Sequence, residues 1–228
     1  MKKLSLAALL ALSTLGTVSA VHASDVEVTG NIGATSNYIW RGMTQNRDKA
    51  AVNGGVDVGY NGLYAGAWAS NVDFEGSEAN YEVDGYVGYG NSIGDVTYDL
   101  SYIKYMYPDA NADADFAEVI FALGYTIGDL TLGASYAKTV YEEWTDGSHP
   151  RYVEGTASYD FKIFSLDLSY GDYERNAGLG DNYTVGLSKT VDVFGQSVDL
   201  AVVYAEYDAD SGSADDQDNL FATISYSF

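Results

Sequence analysis

Twelve segments of this chain, most of them close to ten residues long, alternate apolar and polar side chains, and the links between them are by turns short and long. Alternation with period two puts successive side chains on opposite faces of a strand. A face that is apolar on strand after strand, backed by one that is polar, calls for two different solvents. The segments are 26–41, 50–60, 63–72, 81–89, 96–107, 115–127, 130–141, 151–161, 164–173, 182–191, 198–207 and the closing run 220–228. Links at 61–62, 91–95, 128–129, 162–163 and 192–197 are short, whereas those at 42–49, 73–80, 108–114, 142–150, 174–181 and 208–217 are longer and polar. Asn61-Gly62 is the sequence signature of a type I′ hairpin. An even count of antiparallel strands, with short turns at one end and long loops at the other, predicts an all-β, transmembrane, up-and-down barrel with both termini in the periplasm.

The chain ends agree. Met1-Lys2-Lys3 followed by the mostly apolar stretch 4–18 reads as a secretory signal. Cleavage is expected after Ala23, with Ala20 the alternative, leaving one barrel domain over 24–228. Beyond the signal, no apolar run approaches the ~18 residues that a membrane helix needs. Only 2 prolines interrupt the chain, as continuous ladders require. Cysteine is absent, so neither disulfides nor thiolate chemistry enter. Removing the two signal lysines leaves 9 basic against 33 acidic residues, a net charge of −24. That surplus argues against nucleic acid as a partner, because phosphate binding needs lysine and arginine. An acidic shell of halophilic type is the plain alternative.

One parity reads Val26, Val28, Ile32, Val52, Val56, Val58, Val87, Leu100, Val119, Phe121, Leu123, Leu132, Leu166, Leu168, Val185, Leu187, Leu200, Val202 and Ile224, and is assigned to lipid. Tyr38, Trp40, Tyr136, Tyr170, Tyr183 and Tyr204 are expected as an aromatic belt at the long-loop end. Tyr60, Tyr89, Tyr125, Phe161, Phe164 and Phe228 should form its counterpart at the short turns.

The other parity carries acids. Glu27, Asp57, Asp99, Asp160, Asp167 and Asp199 fall in the periplasmic half, and Glu82, Asp84, Glu118 and Glu154 nearer the extracellular mouth. Arg41 and Lys49 are expected at that mouth. Ten carboxylates facing two rim bases would be too costly in a dry core, so the expectation is a hydrated lumen that favours cations or neutral solutes. Inward Tyr64, Trp68, Tyr86, Tyr105 and Tyr152 should narrow it. A closed structural or adhesive barrel, binding partners or divalent cations through its loops, is the competing reading.

The run Ser36-Asn37-Tyr38-Ile39-Trp40-Arg41-Gly42-Met43-Thr44-Gln45, the stretch 62–68 and the terminal Tyr226-Ser227-Phe228 resemble the TorF-type porins, a bacterial family long described as conserved outer-membrane proteins of unknown function. The aromatic terminus also resembles the assembly signal of outer-membrane barrels. These resemblances imply a porin-like barrel in the cell outer membrane and contacts with lipid and lipopolysaccharide. They also imply recognition of Tyr226 and Phe228 by the barrel assembly machinery, and they leave the small solute unspecified.

Catalysis is not expected. The mature chain holds one histidine, His149, beside Pro150 in a long loop, with no nucleophile fixed near it by sequence. The loop 109–115 imitates the start of a calcium loop, but Ile120 stands where a bidentate Glu belongs. No metal or cofactor is therefore expected.

Overall fold

The computed structural model describes residues 26–110, 114–142, 149–174, 179–210 and 215–228. The signal segment 1–23 and residues 111–113 of the calcium-like loop lie outside them. In chain order the strands are β1 (Glu27–Thr35), β2 (Ile39–Trp40), β3 (Met43–Thr44), β4 (Ala51–Tyr60), β5 (Leu63–Asn71), β6 (Tyr81–Ile93) and β7 (Val96–Met106). They continue with β8 (Phe116–Ile127), β9 (Leu130–Glu142), β10 (Arg151–Asp160), β11 (Ser165–Tyr173), β12 (Gly180–Val193), β13 (Gln196–Ala209) and β14 (Gln217–Ser227). All but β2 and β3 form a closed antiparallel barrel in which each strand pairs with its sequence neighbours. Closure joins β1 to β14, with Ile32 opposite Tyr226. Reciprocal backbone bonds between Gly30 and Phe228 (2.8 and 2.9 Å) extend that seam to the last residue. No barrel strand is left with an unpaired edge, which is the condition for crossing lipid.

The expected links at 91–95 and 192–197 tighten to two-residue turns, because β6 and β7 pair out to Ile93–Val96 and β12 and β13 to Val193–Gln196. At Asn61-Gly62 both residues have positive φ (51° and 87°), the type I′ geometry whose twist matches the flanking strands. Parity is as expected along the wall. Val28, Ile32, Val56, Val87, Leu187, Val202 and Ile224 are exposed on the outside, while Asp57, Asp99 and Asp167 alternate with the apolar outer row and face inward. Tyr136, Tyr170 and Tyr183 are exposed toward the long loops, and Tyr60, Tyr125, Phe161 and Phe228 toward the short turns.

One expected element differs. Strand 1 ends at Thr35, not Arg41, and the chain from Ser36 to Ala50 turns into the barrel. Tyr38 and Trp40 therefore leave the outer belt: Tyr38 is buried with Ala51, Val72 and Ala79, and Trp40 packs beside them. The physical reason is a second apolar surface on the inner wall. At the long-loop end both parities are apolar, as in Val119-Ile120-Phe121, Val202-Val203 and Leu220-Phe221. Ile103, Ile120, Val203 and Phe221 face inward and are buried.

Candidate functional site

The inserted segment is a miniature hairpin. Ile39 pairs with Thr44 and Trp40 with Met43. Arg41 and Gly42 form its turn with φ of 48° and 84°, again type I′. The hairpin's large side chains dock on three inner-wall patches. Ile39 packs on Val203, Ala205 and Phe221. Met43 packs on the cluster of Ile103, Tyr105, Ile120, Ala137, Tyr152 and Tyr173. The Trp40 ring meets Tyr105 and Phe116 edge-on at 6.0 Å each. Burying a large apolar side chain is worth about 1.5–3 kcal/mol, so three of them amply hold a short hairpin off its alternative position in solvent.

Arg41 reaches across the lumen to Glu118 on β8. Its Nη1 donates to Oε1 at 3.0 Å and its Nη2 to Oε2 at 2.8 Å. Nη1 also donates to the Tyr173 hydroxyl on β11 at 3.0 Å. The guanidinium lies over Tyr152 at 4.1 Å and over Trp40 at 4.3 Å. Tyr105 donates to Glu118 as well, at 3.3 Å. A planar fork against a carboxylate, with aromatic faces above and below, is the geometry for which arginine is suited and lysine is not. Arg41 is thus at the hairpin tip, not at the rim expected from sequence, because the strand that was to carry it stops six residues earlier.

Polar bonds seat the base of the hairpin. Asn37 donates through Nδ2 to Asp48 (2.9 Å) and to Asn219 on β14 (3.0 Å). The Thr44 amide donates to Gln217 Oε1 at 2.8 Å. Tyr38 donates its amide proton to Asn46 Oδ1 (3.1 Å) and its hydroxyl proton to Glu82 on β6 (3.1 Å). Lys49 is exposed in the loop before β4, bonded at 2.5 Å to Asp73, which also takes Arg47. Together the contacts anchor one hairpin to strands on opposite sides of the cylinder.

The acids separate into two tiers. In the outer tier Glu82, Asp84 and Glu118 are buried under the hairpin, and Glu154 points inward on β10, two residues from Tyr152. The outer half is therefore packed with protein, where the sequence suggested water. Toward the short turns, Asp57 accepts from Tyr86 (2.5 Å), Asp99 from Tyr64 (2.9 Å) and Asp199 from Thr190 (2.5 Å). Asp167 accepts from Ser158 and Ser188, both at 2.6 Å. None of these four has an ion-pair partner among the described residues. Glu27 is exposed at the start of β1. Asp160 sits apart, at the last position of β10, and binds Lys162 of the adjoining turn at 3.1 Å. Lys162 also holds Asp129 of the neighbouring turn. Inward Tyr64, Trp68, Tyr86, Tyr105 and Tyr152 are where parity put them, while the parts played by Tyr173, which takes Arg41, and by Asn182, which accepts from Tyr152 at 2.9 Å, were not foreseen.

The profile of Gcw_chp, a bacterial protein family of unknown function, matches residues 19–226. The chain belongs to that family. The Arg41 hairpin and both acid tiers fall within the span that defines it. None of the curated proteins matches the chain in sequence. Among solved structures it is similar to the KdgM porin, with a TM-score of 0.58, 9% identity, and coverage of 88% of this chain and 99% of that one. It is also similar to OccK8 (OprE) of Pseudomonas aeruginosa, with a TM-score of 0.46, 12% identity, and coverage of 90% and 67%. The similarity to the KdgM porin extends the barrel architecture to a solved structure.

Proposed function

We propose that this member of the Gcw_chp family is an outer-membrane, porin-like channel for small solutes, in which the Arg41 hairpin narrows the outer half and an acidic vestibule favours cations or neutral solutes on the inner side. The carrying observation is the sorting of the wall: an apolar outer row on a closed cylinder, against inward Asp57, Asp99, Asp167 and Asp199 that have hydroxyl partners and, among the described residues, no ion-pair partner. An apolar outer band with aromatic residues at both ends suits a bilayer crossed by tilted strands. Acids lining an aqueous path attract cations and repel anions. The likeness of 36–45 to TorF-type porins supports the same reading, with lipopolysaccharide around the long loops and Tyr226 and Phe228 presented to the assembly machinery.

A closed barrel is the second reading, favoured by the packing of Tyr38, Arg41 and Glu118 in the outer half. Planar-bilayer recording separates the two. Steady steps whose reversal potential in a potassium chloride gradient has the sign of cation preference support the channel. Silence from folded protein supports the closed barrel and overturns the proposal.

A further inference from the structure

Asp84 is the carboxylate of the outer tier that no hydroxyl, amide or base serves; its polar neighbour is the Glu82 carboxyl. It is 0% exposed, and neither carboxylate oxygen meets a hydrogen-bond donor other than a proton shared with Glu82. Glu118 in the same tier is neutralised by Arg41, and Glu82 accepts from Tyr38. A buried acid without donors is costly, so its retention asks for a positively charged occupant or a proton.

The neighbours of Asp84 suit an organic cation in place of that proton. Across the ladder it stands opposite Trp68 on β5 and Tyr105 on β7, and all three face inward. Tyr38 of the hairpin meets Trp68 edge-on at 5.6 Å and reaches Glu82, two residues before Asp84, with its hydroxyl. A carboxylate flanked by two aromatic rings, roofed by a third and backed by a second acid has the elements that recognise an organic cation. The carboxylates supply charge and the rings supply cation–π contact. A hard metal ion would instead want six or more oxygens, which these side chains do not offer.

We propose that Asp84 and Glu82, between Trp68 and Tyr105, form a binding site for the primary ammonium group of a small cationic solute. Tyr38 is its lid: Asp84 is fully covered, so entry requires the hairpin to shift. This deepens the channel reading by naming a solute class, and it rests on that reading for the route of entry.

Equilibrium dialysis of n-butylammonium against the folded full-length barrel in detergent micelles tests the site, with n-butanol as the neutral control of equal size. The wild type should bind the amine and not the alcohol. Asp84→Asn should weaken amine binding about tenfold or more, as expected for loss of a charge-assisted bond. Trp68→Leu should weaken it about threefold or more through the lost ring. Folding of each variant is read from its gel mobility before and after heating, and Glu82→Gln carries the comparison should Asp84→Asn not fold. Absence of amine binding in the wild type, or unchanged affinity in Asp84→Asn, overturns the site. Amine binding without bilayer current overturns the channel and leaves the site standing; current without amine binding does the reverse.

Discussion

Arg41 and Glu118 meet fork to fork inside the barrel, 77 residues apart in sequence, with side chains 8% and 3% exposed. The pair ties the tip of a hairpin that leaves β1 to the far wall at β8. Its worth lies less in net stability than in position, because desolvation offsets most of the attraction between two buried charges.

Removing one partner should therefore cost far more than removing both. Arg41→Ala leaves Glu118 buried and uncompensated, and a loss of about 3–5 kcal/mol is expected. Arg41→Met with Glu118→Leu should recover most of that loss. Denaturant unfolding of the three proteins in micelles, followed by the heat-dependent gel shift, measures the difference. In bilayers Arg41→Ala should also raise conductance, since the hairpin tip loses its anchor.

Gly42 offers the same test without touching a charge. Its φ of 84° is strained for any residue bearing a Cβ, and such an atom would lie 2.8 Å from Asn182 Cβ, 2.9 Å from Tyr207 Cβ and 3.0 Å from the Glu206 carbonyl oxygen. Strand backbone on β12 and β13 cannot yield by that much. Gly42→Ala should cost about 1–3 kcal/mol and unseat the hairpin while Arg41 is retained. Protease cutting after Arg41, faster in the variant than in the wild type, reports the release.

Charge selectivity should follow position along the axis. Asp99→Asn and Asp167→Asn remove inward acids held only by hydroxyl donors, and each should reduce the reversal potential in a salt gradient. Asp160→Asn should leave it unchanged, because Asp160 is paired with Lys162 at the turn. Equal effects from all three substitutions would remove the basis for two tiers of acids.

Acid should loosen the base of the hairpin before the wall. Hydrogen bonds from Lys49 and then Arg47 hold the Asp73 carboxyl below the usual carboxylate range. A lowered folded-state pKa means the contribution is complete above the unfolded value, near pH 4, and is lost as pH falls through the folded one. The ion pairs are solvent-exposed, so the effect is local and global stability should barely move. Protection from hydrogen exchange at 45–49 and 73, taken relative to the intrinsic rate at each pH, should fall from about pH 5 to about pH 2 in the wild type, and Asp73→Asn should flatten the profile.

Strand number and strand parity were legible in the chain itself, and with them the inward Asp57, Asp99 and Asp167 but not the turn-bound Asp160. They depend on a period of two and on turn residues such as Asn61-Gly62, which are local properties that no distant contact has to supply. The path of residues 36–50 was not legible, since its seat is assembled from β4 through β14. Alternation distinguishes lipid from water, but it is blind to a third medium, protein packed inside the cylinder. The doubled apolar parity at Val119-Ile120-Phe121, Val202-Val203 and Leu220-Phe221 was the only trace of that medium in the sequence. Only closure of the barrel brought those inner faces round the Arg41 hairpin, paired Glu118, and buried Asp84 with the Glu82 carboxyl as its polar neighbour.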